Sequence, residues 1–195
     1  ASGAKRYQWS NSSGPILTDS ISIGSGLLDA QVNAILIDAD CSFFFASSSA
    51  SINRECVVFG TSKGLSAYNP NTLPQPTWQN HQSSDASSIP SGAVAALFDI
   101  RRDLEFTDDN GNGFTESMDE IWVGTDGGGL ARCQNQDSHF SGNTAVRLYC
   151  EQFSTANDGF PGDEINDIKL DNRNILWVAT GNANTPNDEG GIGCA

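Results

Sequence analysis

The stretch from Asp108 to Asp119, DDNGNGFTESMD, has the residue types and spacing of a cation loop. Counted from Asp108, oxygen donors fall at positions 1 (Asp108), 3 (Asn110), 5 (Asn112), 9 (Glu116) and 12 (Asp119), with Gly113 at 6 and the Phe114 carbonyl at 7. A hard cation takes six to eight oxygens, and a glycine at the sixth position allows the sharp bend that turns alternate residues inward. The spacing predicts structural calcium in an EF-hand-like loop, although Asp replaces Glu at position 12 and no helices flank it. A second stretch, Ile121-Trp122-Val123-Gly124-Thr125-Asp126-Gly127-Gly128-Gly129-Leu130, is rich enough in glycine to suggest a phosphate cradle. It has neither the lysine nor the following helix that a cradle needs, so the glycines read as hairpin residues that tolerate positive φ.

Other chemistry is weakly signalled. Carboxylates cluster at Asp163, Glu164 and Asp167 and at Asp188 and Glu189, and paired carboxylates can hydrolyse glycosides. In a chain with 24 Asp and Glu, such clustering is expected without function. His81 and His139 lack motif context and are expected to be exposed, and no Gly-x-Ser-x-Gly occurs. The chain is therefore read as no enzyme. The five cysteines show no metal spacing. They are read as disulfides, Cys41 with Cys56 across an insert and Cys133 with Cys150 on neighbouring strands, which leaves Cys194 for an interchain link. Asn11-Ser12-Ser13 is a glycosylation acceptor in a secreted eukaryotic protein.

The elements that must position these residues recur. Three times an apolar strand ends in Asp (Asp38, Asp99, Asp171). A second strand then ends in Thr61, Thr125 or Thr180, and a glycine turn leads to a third that begins at Leu65, Leu130 or Ile192. Aromatic strands YQWSN (7–11), PTWQNH (76–81) and LYCEQFS (148–154) precede or separate these triplets. The order d-a-b-c, three times over, predicts an all-β fold of four-stranded antiparallel propeller blades. The repeats fall at about 7–68, 76–133 and 148–194 within a single domain spanning 1–195. Trp122 and Trp177 are read as inter-blade core, and packing is preferred for Trp9 and Trp78. The threonine marks lie 64 and then 55 residues apart, against ~40–50 for a compact blade, and in the first two units the excess falls between a and b.

The segments Trp122-Val123-Gly124-Thr125 with Gly128-Gly129-Leu130, and Trp177-Val178-Ala179-Thr180 with Gly190-Gly191-Ile192, resemble the two-component-regulator propeller repeat. Val58-Phe59-Gly60-Thr61 with Gly64-Leu65 resembles it less, and is read with Phe59 in the tryptophan position. The resemblance implies sensing or binding more than catalysis.

A formal charge of −14 disfavours nucleic acid and anionic membranes as partners. No apolar run is long enough for a spanning helix. The first residue is Ala, and any export signal is expected to have been removed. Abundant Ser, Asn, Thr and Gly with paired cysteines point to an extracellular or periplasmic location. Three blades cannot close a ring of ~4–8. The chain is therefore expected to be an extracellular non-catalytic propeller module that assembles with other copies of itself or binds protein or carbohydrate. Its N-terminal strand is expected to complete the last blade of another copy, giving a ring or filament. A sensing fragment of a two-component regulator and a secreted carbohydrate-active enzyme are the alternatives.

Overall fold

A computed structural model describes residues 3–10, 14–38, 56–70, 77–82, 89–107, 111, 113–136, 147–159, 161–181 and 192–194. The strands are β1 (Ala4–Ser10), β2 (Gly14–Ile21), β3 (Val32–Asp38), β4 (Cys56–Thr61), β5 (Gly64–Asn69), β6 (Thr77–His81), β7 (Ala93–Thr107), β8 (Gly113–Asp126), β9 (Leu130–Gln136), β10 (Arg147–Phe153), β11 (Glu164–Leu170), β12 (Leu176–Gly181) and β13 (Ile192–Cys194). A single helical turn, α1 (Thr155–Asp158), lies before β11. All strand pairs are antiparallel.

The first blade is the sheet β3-β4-β5-β6. The second is β7-β8-β9-β10 and the third β11-β12-β13, joined at the single pair Glu164–Asp126. Each aromatic d strand thus pairs with the c strand before it: β6 lies on β5, and β10 on β9. The sequence repeat d-a-b-c is therefore built as the sheet a-b-c-d. The innermost strands β3, β7 and β11 lie side by side in that order, which is propeller stacking, and the described residues do not close a ring.

Alternation along the b strands assigns every side chain to a neighbour. Val58, Leu65 and Ala67 point forward from the first blade. They meet Ile121, Val123, Ala131, Cys133, Leu148 and Cys150 on the rear of the second. Ala96, Trp122 and Leu130 point forward from the second blade and meet Ile165, Ile168, Leu176 and Val178 of the third. Glycine in the b strand makes the seam close. A Cβ at Gly60 would stand 2.6 Å from Val94 Cγ1, and one at Gly124 would collide with Ile165 Cγ2. Val94 and Ile165 are thus knobs seated on bare backbone.

This register corrects one sequence alignment. Gly60 pairs with Leu65 as Gly124 pairs with Leu130, so Trp122 corresponds to Val58 and not to Phe59. Phe59 matches Val123 and faces rearward. It is covered by Ala4, Ile21 and Leu27, with Trp78 and Tyr68 packed alongside. The covering residues come from β1, β2 and the turn after them. β1 pairs with β2 in a hairpin, and β2 had no counterpart among the expected strands. The foot of this hairpin takes the place that a preceding blade would fill.

Candidate functional site

The Gly-Thr turns are built by a repeated side-chain bond. The buried Thr61 hydroxyl donates to the Gly64 carbonyl and that of Thr125 to the Gly129 carbonyl, each at 2.9 Å. Gly64, Gly127 and Gly129 have positive φ. The Gly127 and Gly129 amides both donate to the Asp163 carbonyl, at 3.1 and 2.8 Å. Those amides are the groups a phosphate would need, and they instead fasten the second blade to the third. Asp163 is structural through its side chain as well: its two oxygens accept from the Thr155 amide at 2.7 Å and hydroxyl at 2.8 Å.

The feature left over is the forward face of the third blade. By register, Trp177 and Ala179 occupy the positions of Trp122 and Gly124. Trp122 is 7% exposed and stacks near Phe153, with ring centroids 5.9 Å apart. Trp177 is 39% exposed. The expectation that both tryptophans are inter-blade core therefore holds for Trp122 and fails for Trp177, because no described residue stands in front of the third blade. The neighbouring strand differs too. Opposite Val58 and Trp122 the inner strands supply Leu36 and Phe98, whereas opposite Trp177 stands Lys169, and opposite Ala179 stands Asp167. The Lys169 ammonium reaches Asp167 Oδ1 at 2.7 Å, and this bond is the main cause holding the Asp167 carboxyl below its ordinary range.

Asp171, the strand-end Asp of the repeat, fixes the indole. It accepts from the Arg173 and Ile175 amides on one oxygen, and from Trp177 Nε1 at 3.1 Å and the Arg173 guanidinium at 2.9 Å on the other. The Ile175 amide first, then Trp177 and Arg173, bring its carboxyl down to about 2. The Trp122 indole N–H, by contrast, is buried without a hydrogen-bond partner. The result is an aromatic platform held from behind and rimmed by charge. It suits contact with a partner, and its carboxylates lack the raised pKa of a general acid.

The other sequence sites divide as follows. Cys133 and Cys150 are directly opposite in register and form a disulfide. Cys56 is disulfide-bonded, while Cys41 lies outside the described residues. Cys194 stands opposite Trp177 in the β12–β13 register. Asn11, His139, Asp188 and Glu189 lie outside the described residues, and His81, at the end of β6, is half-buried rather than exposed. Trp78 packs on Tyr68, with centroids 4.6 Å apart.

Of the expected calcium ligands, Asp108, Asn110 and Asn112 lie outside the described residues. Phe114, Glu116 and Asp119 lie on β8, paired with Phe106, Leu104 and Arg101. The insert between a and b is thus largely an extension of both strands. At about 3.4 Å per residue, Asp119 lies roughly 20 Å along the strand from Gly113. A loop that closes its twelfth position on its first and this extended pairing are mutually exclusive backbones. Among the described residues no group of three or more His, Cys, Asp or Glu gathers to hold a metal ion.

The segment carrying the platform has a known relative in sequence. Residues 159–182 match the two component regulator propeller family. The match spans β11, the Asp171 turn and β12, where the strand–Asp–Trp-Val-Ala-Thr pattern was read. No curated protein and no solved structure matches the chain. Within the propeller repeat, sequence reading identified the tryptophans and the strand-ending Asp. It missed that Asp171 clamps Trp177, and that Lys169 and Asp167 replace apolar residues. Reading the a strands in register with the b strands carries that signal.

Proposed function

We propose that this chain is an extracellular, non-catalytic propeller-type module that works by assembly, its partners being other copies of itself. The uncovered forward face of the third blade carries the reading. It has the tryptophan of an inter-blade seam without the blade that covers the same position in Trp122. The Cys133–Cys150 disulfide supports an oxidising compartment, and no helix among the described residues is long and apolar enough to cross a membrane. Sedimentation equilibrium across a concentration series tests it: the expected result is a mass above the 20.7 kDa of one chain. A monomer at all concentrations would refute assembly.

A second reading is favoured by the family match at residues 159–182: the ligand-sensing exterior of a two-component regulator, with this chain as part of a longer propeller. The mass of the native polypeptide separates the two, since a sensor would run well above this chain's length under denaturing, reducing conditions.

A further inference from the structure

The two ends of the blade stack are unlike, and their differences complement one another. At the front, the third blade presents Trp177 and Ala179 with Asp167 and Lys169 beside them. At the rear, the hairpin β1–β2 is anchored only by its foot, where Ala4 and Ile21 are buried on Phe59. Beyond the register irregularity between Arg6 and Tyr7, the hairpin projects. Tyr7 and Leu17 are directly opposite one another, so they share one face, and they are 53% and 48% exposed. Ile16, opposite Gln8, is also exposed. A two-stranded hairpin is marginally stable by itself in water, and an apolar pair on its projecting half is a surface in want of cover.

Charge gives the direction. Residues 1–21 carry two cations, Lys5 and Arg6, against Asp19. Residues 151–175 carry six carboxylates against Lys169 and Arg173. In a chain with a formal charge of −14, the one basic arm and the acidic third blade lie at opposite ends of the stack. The rear of the first blade offers a full blade no seat, because the hairpin foot already covers Phe59. What the open front can receive from another copy is therefore the arm.

We propose that the projecting half of the β1–β2 hairpin of one copy docks on the forward face of the third blade of the next. Tyr7 and Leu17 lie against Trp177 and Ala179, with Lys5 and Arg6 toward the acidic rim. The proposal rests on the assembly reading and gives that reading a specific interface: a docked hairpin arm on a blade face, head to tail. Such a contact is heterologous, and propagates as a ring or a filament according to whether its rotation closes.

Complementation tests it. Tyr7→Glu/Leu17→Glu damages the arm and Trp177→Glu damages the face. All three side chains are solvent-exposed, so folding is checked simply by circular dichroism and by retention of the Cys133–Cys150 bond. Each variant alone is expected to associate at least tenfold more weakly than the parent. An equimolar mixture is expected to form a species of twice the chain mass and none larger, because one sound arm meets one sound face. Lys5→Ala/Arg6→Ala, which leaves the apolar pair intact, is expected to weaken association and flatten its salt dependence. A parent protein that is monomeric throughout ends both the assembly reading and this proposal. A parent that assembles while the variants assemble equally well leaves the first standing and overturns the second. Loss of assembly in Trp177→Glu alone, with the arm variants unaffected, assigns the face to a front-to-front contact and likewise overturns it. Quenching of Trp177 fluorescence by polysaccharide, in a chain that stays monomeric, would make the face a sugar platform instead.

Discussion

Trp122 and Trp177 hold the same place in the repeat and differ only in what stands before them. Trp122 is sealed between blades, so Trp122→Ala should cost about 3–5 kcal/mol in urea unfolding, the range for a large buried aromatic. Trp177→Ala removes an exposed ring and should fall within about 0.5 kcal/mol of the parent. Equal losses would mean that Trp177 is covered within the monomer. The clamp on Trp177 makes a second prediction. The Asp171 carboxyl is depressed in the folded chain from the ordinary 3.8 to about 2. Its contribution to stability is therefore fully present above about pH 4 and is lost as pH falls through about 2. The Trp177 indole N–H resonance should shift with a midpoint near pH 2, and Asp171→Asn should abolish that transition. A midpoint near 3.8 would show that the clamp is not made.

At the scale of elements, the outer half of the second blade is stapled. The Cys133–Cys150 bond closes a separation of 17 residues, for which chain-entropy reasoning gives about 3 kcal/mol. Cys133→Ala/Cys150→Ala should lose about that amount or somewhat more, since both sites lie in the seam with the first blade. The double variant is the right instrument because reducing agent would also open the bond at Cys56. The β7–β8 hairpin supplies the next prediction. Its paired strands leave a twelve-residue calcium loop unclosed, so millimolar calcium should leave the melting temperature within about 2 °C, less than ~1 kcal/mol for a chain of this size. A rise of several degrees that is lost in Asp119→Asn would restore the EF-hand-like loop and unpair the hairpin tip. Strand identity was legible here, because period-2 alternation and glycine turns are local. Strand partnership was only partly so. β6 and β10 were read ahead of the units they introduce, yet hydrogen-bond to the c strands behind them. β2 escaped notice because GPILTDSI repeats nothing else in the chain and becomes a strand only by pairing with β1.

For the whole molecule, the decisive property is an open stack with a basic arm at one end and an acidic blade at the other. If the ends meet, association should weaken as salt is raised from about 0.05 to 0.5 M, where the screening length falls well below 10 Å. Salt-independent association would point to an apolar contact without the charge steering argued above. The sequence by itself determined the blade: which stretches are strands, where threonine and glycine make the turns, and that Cys133 can reach Cys150. Those follow from backbone periodicity and from residues close along the chain. Only the tertiary structure decided which face of each strand is covered, because burial depends on what lies across the seam. Trp122 and Trp177 sit in nearly the same local pattern, and it is the presence of Ile165 and Ile168 in front of one, and of no described residue in front of the other, that makes the first core and the second a site.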